Sequence, residues 1–283
     1  MMKPKYFALI MLLLMLIILA TEKQVRDESN SLELNVTSLR YFLESQYVPE
    51  AGLLRAAVKS YPDNETIYIA NDNLLASRAL VALNSSLGER ILRNLEANYS
   101  GGWNGKVDVL FGRRITGVYC SKILFINRTY SRKFGAEFEI KYELTDTSCP
   151  MDDWREYADL SVYMALNKIL SGKRREAVEV YEGLLSLWDG KGFRDKAFDG
   201  TYQTYKCALF AYLHRALDRP EQGKAVYTSC QRIVSQLQME NGGISTGYKF
   251  EGEKIVPVGD TNTETTSFVV LAFLSELPEK YHT

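Results

Sequence analysis

Gln238-Met239-Glu240-Asn241-Gly242-Gly243 closes one amphipathic segment, and Asp260-Thr261-Asn262-Thr263-Glu264 opens another after a polar loop. The two glycines permit a sharp turn out of a helix, and the glutamine side chain can satisfy backbone groups at that turn. Equivalent helix starts occur at Asn71-Asp72-Asn73, Asp152-Asp153-Trp154 and Asp199-Gly200-Thr201-Tyr202. Helical periodicity predicts helices over 32–46, 73–83, 86–97, 153–170, 174–187, 202–217, 221–238 and 263–277. Four of these share a spacing of small residues. Counted from Asn73, Asp159, Tyr205 and Glu264, a small or β-branched residue falls three places on, at Ala76, Val162, Ala208 and Ser267. Three further on stand Ala79, Ala165, Ala211 and Val270. Small residues on successive turns let helices approach closely, and four copies read as divergent helical-hairpin repeats.

Residues 106–148 change character. Phe138, Ile140, Tyr142 and Leu144 alternate with Glu137, Glu139, Lys141 and Glu143, the period-two pattern of a strand with one wet face. Ile123 to Tyr130 is the expected partner strand, with Val107 to Phe111 as a third, and Arg132-Lys133-Phe134-Gly135 as the hairpin tip. Cys120 and Cys149 straddle that tip, and Cys207 and Cys230 lie symmetrically about Asp218-Arg219-Pro220, the turn of a helical hairpin. Residues equidistant from an antiparallel turn sit at the same height, so two disulfides are expected, Cys120–Cys149 and Cys207–Cys230, with four buried free thiols as the alternative.

Lys3 and Lys5 precede an apolar run from Tyr6 to Ala20, and a polar linker covers 21–31. Residues 1–20 fit a signal peptide and equally a short uncleaved anchor. Either places the domain at 32–283 outside the cytoplasm, secreted or held at the membrane through this segment. Glycosylation acceptors of the form Asn-x-Ser/Thr at Asn35, Asn64, Asn84, Asn98 and Asn127 agree with export. A formal net charge of −1 without a basic stripe argues against nucleic acid as a partner. Two histidines, one beside the terminus, argue against histidine triads and clustered zinc ligands, so no metal and no cofactor is implied.

The turn Gln238-x-x-Asn241-Gly242-Gly243 resembles the Q-x-x-D/N-G-G turn of α/α-toroid proteins, the terpenoid-cyclase and prenyltransferase-like group, with Ile244 where an aromatic residue is usual. Asn71 to Leu277 as a whole is similar to the six-hairpin glycosidases. The resemblance implies a mainly α fold, an α/α toroid, complete or open, carrying a small antiparallel β insertion at about 106–148. The D-x-D-D run of the squalene-hopene cyclases is absent from the sequence.

Inner helices that all start with polar and aromatic residues would focus them into one funnel. Asp72, Asp153, Asp159 and Glu264 are the acid/base candidates, because two carboxylates across a cleft can cleave a glycosidic bond. Trp154, Trp188, Tyr202 and Tyr205 offer rings on which sugars stack, and Asp199 and Asp260 complete the binding set. Against this, Asp72, Asn73, Asp153, Asp199 and Thr261 also fit N-caps, and Thr261-x-x-Glu264 has the form of a capping box. The sequence therefore points first to an extracytoplasmic protein that binds or cleaves a glycan or polysaccharide, in the manner of a glycoside hydrolase or polysaccharide lyase if it is an enzyme. A non-catalytic surface glycoprotein or assembly module is the second reading, and a terpenoid or lipid binder the third.

Overall fold

The computed structural model describes residues 33–281; the N-terminal apolar segment and the polar linker lie outside them. Eight α-helices occur among the described residues: α1 Val36–Ser45, α2 Leu75–Ala82, α3 Ser86–Asn98, α4 Ala158–Leu170, α5 Arg174–Leu185, α6 Thr204–Ala216, α7 Lys224–Gln236 and α8 Thr263–Phe273. The strands are β1 Tyr47–Val48, β2 Leu53–Leu54, β3 Thr66–Tyr68, β4 Tyr119–Ser131, β5 Ala136–Pro150, β6 Tyr202–Gln203, β7 Ser245–Glu251 and β8 Lys254–Thr261. They form three sheets, ordered β1-β2, β3-β5-β4 and β6-β7-β8.

This composition corrects the expectation of a mainly α toroid. About 48% of the described residues are helical and 23% are strand, a mixed α/β architecture. One cause is the segment between Gly243 and Asp260, which reads as a polar loop and folds as the β7–β8 hairpin. Glu251 pairs with Lys254, leaving Gly252 and Glu253 as a two-residue loop with Gly252 at φ +64°, the backbone such a loop demands. The insertion is also longer than its sequence pattern, with β5 running to Pro150 and pairing in parallel with β3 through Ile67 and Ile140. Val107–Phe111, expected as a third strand, is a 3₁₀ turn.

The helices carrying the small-residue spacing are α2, α4, α6 and α8. They pack side by side in the order α4–α6–α8–α2, with α3, α5 and α7 paired to α2, α4 and α6. Ala76, Ala79, Ala165, Ala208, Ala211 and Ser267 are fully buried along them, which is the close approach the spacing predicts. Strands set where three of these helices begin. β3 enters α2 through a π-helical turn over Ile69–Leu74, β6 runs straight into α6, and β8 delivers the chain to α8. The Gln238 amide takes a hydrogen bond from the Asn35 backbone N–H at 2.8 Å and donates to the Gly242 carbonyl at 3.1 Å. It satisfies backbone at the turn, as its sequence position suggests.

Cys120 and Cys149 are bridged near the base of the β4–β5 hairpin, with Cα atoms 5.5 Å apart. Cys207 and Cys230 are not. Both are fully buried thiols, close enough for Cys207 to hydrogen-bond Cys230, and burial followed by this contact pushes the Cys230 thiol well up. Symmetry about the turn brought the sulfurs together as expected, but the expected disulfide is not formed.

Candidate functional site

The starts of α2, α4 and α8 bring together Asp72, Asp159 and Glu264. Asp72 lies in the π-helical turn ahead of α2 and is only 4% exposed. A π-turn widens the helix and displaces a side chain from the regular spacing, a device common at functional sites. Its Oδ2 is buried with no hydrogen-bond partner among the described residues. Burial, and then the neighbouring Glu264, Asp63 and Glu143, raise its carboxyl well above the usual carboxylate range.

Glu264, in the first turn of α8, is pushed up to about 7 by burial and by Glu143 and Asp159, with Lys106 partly opposing the rise. Asp159, in the first turn of α4, accepts a 3.4 Å hydrogen bond from the Tyr205 hydroxyl on α6. Tyr163, one helical turn after Asp159, is 3% exposed, and burial together with Asp159 and Glu264 raises its phenol well above normal. The arrangement is a half-sheltered group of carboxyls and phenols, with the carboxyls of Asp72 and Glu264 biased toward the protonated form. Through the raised carboxyl of Glu264 it can donate a proton at neutral pH.

Sequence reasoning did not reach the far wall of this group. Glu143 reads as the wet face of a strand, yet the parallel β3–β5 pairing turns it toward the helix starts. Asn71 donates to Glu143 Oε2 at 2.5 Å and Ser121 to its Oε1 at 2.7 Å. Asn104, 3% exposed, donates to Asn71 at 2.7 Å. Its own Oδ1 accepts from the backbone of Lys106 and Val107 at 2.9 and 3.0 Å. This fixes the loop that brings Lys106 to the cluster, 6.0 Å from the Tyr163 ring centre. The only local signal was the Ser100-Gly101-Gly102-Trp103-Asn104-Gly105 loop itself, a glycine-rich stretch carrying one buried amide.

Other candidates are engaged elsewhere. Asp153 bonds Lys196 Nζ at 2.6 Å, and that contact lowers its pKa. Trp154 carries the Arg155 guanidinium on its ring at 4.3 Å. Trp188 packs edge-on against Phe193 at 5.2 Å. Asp199 closes an Asx turn on the Thr201 N–H at 3.1 Å. Tyr202 is buried between Phe198 and Tyr248, with its hydroxyl 2.6 Å from Asp189. Asp260 accepts the backbone N–H groups of Val58 and Ser60, each at 3.0 Å, and that of Lys59.

The capping box at Thr261 and Glu264 is not formed. Asn262 caps α8 by accepting from Thr265 N at 2.8 Å, and Thr261 remains in β8. That one-residue displacement leaves Glu264 without a capping duty. At α3 the cap is Ser85, whose hydroxyl accepts from the Leu87 N–H at 3.3 Å. Asp152 and Glu156, at helical spacing ahead of Asp159 and Tyr163, precede α4 and are exposed, whereas Tyr163 is buried.

Among the described residues, no group of three or more His, Cys, Asp or Glu side chains has the geometry to hold a metal ion, and no helix is long and apolar enough to cross a membrane. Comparison with protein-family models, with curated proteins and with solved structures finds no match.

Proposed function

We propose that this is an extracytoplasmic carbohydrate-active protein whose glycan substrate lies over the carboxyls of Asp72, Asp159 and Glu264. The observation that carries the reading is the contrast within the acid set. Asp260 and Asp199 are consumed by backbone N–H groups. Glu264 has no hydrogen-bonded partner among the described residues and is biased toward its protonated form. Glycosidic cleavage needs that pairing, one neutral carboxyl to protonate the leaving oxygen and a second carboxylate to act as base or nucleophile. Glu264 suits the first role and Asp159, oriented by Tyr205, the second. The unpartnered Asp72 oxygen is a place for a sugar hydroxyl, since a buried polar atom gains most from a partner. A charged and hydroxyl-rich cluster argues against an apolar ligand at this end of the helices.

The test is Glu264→Gln and Asp159→Asn, each assayed by glycan-array binding and by reducing-end release from polysaccharides. Both variants should fold, because neither side chain caps a helix, and both should lose turnover by about a hundredfold or more. Wild-type binding and turnover in both folded variants would remove the cluster from function.

A further inference from the structure

The same helices enclose a second feature at their opposite ends. A cavity of about 610 Å³ lies where α2, α6 and α8 finish, within the ~300–1,000 Å³ typical of small-molecule sites. Its walls are mostly apolar and include Val81, Leu110, Phe111, Leu271, Leu274 and Leu277. Arg78, midway along the short helix α2, lines it as well.

Arg78 is unusual among the arginines near this end. Arg215 is fully engaged, donating to the carbonyls of Leu271, Ala272 and Ser275 at the end of α8. The Arg78 guanidinium makes one contact, over the Phe111 ring at 5.7 Å. Its Nε is buried without an acceptor, and among the described residues no hydrogen bond or ion pair involves it. A guanidinium carries five donors in a planar fork suited to a carboxylate. Arg78 is half-buried, and it is its enclosed Nε that lacks an acceptor, a cost in free energy that an incoming anion recovers. Glu276, the acidic residue of the lining, is exposed at the rim and makes no ion pair with it.

We propose that this cavity binds an aliphatic carboxylate, with the carboxylate on Arg78 and the acyl chain along the leucines of α8 and the segment after it. The site is separate from the carboxyl cluster and does not depend on the glycan reading. A neutral alcohol of the same length would gain the apolar contacts without the ion pair, and acetate would gain the ion pair without the contacts.

The experiment titrates octanoate, octanol and acetate into the full chain in a non-ionic detergent, reading ligand-observed NMR saturation transfer and thermal shift. Wild type is compared with Arg78→Gln and with Leu274→Phe, which narrows the cavity while keeping the charge. Differences between proteins cancel partitioning of the probe into micelles. Octanoate should bind wild type at least tenfold more tightly than octanol or acetate. Arg78→Gln should reduce octanoate to the level of octanol, and Leu274→Phe should weaken octanoate while leaving acetate unchanged. If Arg78→Gln does not fold, the Leu274→Phe comparison and the probe series in wild type decide alone. Equal binding of octanoate and octanol to wild type, or an octanoate preference that survives Arg78→Gln, overturns the proposal.

Discussion

Glu264 shows how one residue of displacement changes a side chain's meaning. As partner of Thr261 in a capping box it would be a structural group; with Asn262 as the cap it is released into a cluster of like charges. Its carboxyl is raised to about 7, so between the ordinary glutamate value and about 7 the folded state binds more protons than the unfolded chain. Unfolding free energy must then fall as pH rises through that window, and the contribution is fully present only below it. Glu264→Gln should remove this slope and stabilise the protein near pH 8 by about 2 kcal/mol, partial exposure of the side chain keeping the effect below the full shift. Urea melts at pH 4.5, 6 and 8 measure it, and parallel pH curves for variant and wild type would place the carboxyl's shift elsewhere. If Glu264 is the proton donor, turnover should also fall as pH rises through about 7.

The opposite case is Lys206. It pairs with Asp195 at 2.7 Å, with both side chains almost wholly buried, while Asp195 also accepts the Ala158 N–H at the start of α4. The pair holds the starts of α4 and α6, and hence Asp159 and Tyr205, in register. Lys206→Met strands a buried carboxylate and should cost about 3–5 kcal/mol in chemical denaturation. A cost below about 1 kcal/mol would mean that Asp195 finds water or another donor.

At the scale of elements, the sequence resolved what local periodicity can encode. α5 ends two residues before its expected limit, and α8 starts where expected. Helix starts were less legible, because α8 is capped by Asn262, one residue past Thr261, and α4 begins only after a 3₁₀ turn at Trp154–Glu156. The β7–β8 hairpin was invisible because Gly247 and Pro257 interrupt its alternation, and burial there falls on Tyr248 and Ile255. Asp72, Asp159, Tyr205 and Glu264 could be named in advance because each opens a helix. Glu143 and Lys106 could not, since only the β3–β5 pairing and the Asn104 bonds place them at those starts. The Cys120–Cys149 bridge holds the base of the hairpin that presents Glu143. Replacing both cysteines by serine should cost about 3–4 kcal/mol in the chain-entropy account. The melt should then no longer respond to reductant, and a mutant as stable as the oxidised wild type would show that the bridge constrains little.

For the whole molecule, the Cys120–Cys149 bridge is the structural feature that bears on the proposed export. A disulfide such as Cys120–Cys149 persists in oxidising compartments and agrees with the proposed export, whereas Cys207 and Cys230 are fully buried thiols. The N-terminal lysines and apolar run, which lie outside the described residues, supply an independent argument for export, and the side-chain sites of Asn35, Asn84, Asn98 and Asn127 are exposed for glycan transfer. Asn64 differs, with its Oδ1 enclosed and unpartnered, so it should be the least modified of the five acceptors. Two measurements on the same expressed chain join these arguments. A reporter fused at the C-terminus should be extracytoplasmic, and thiol titration of the purified protein should find no reactive thiol when native and two after denaturation without reductant. Four thiols after denaturation together with a cytoplasmic reporter would mean that the bridge does not form in the cell and that the domain folds without it. A count of zero in the denatured protein would instead mean that Cys207 and Cys230 join during folding, before burial closes over them.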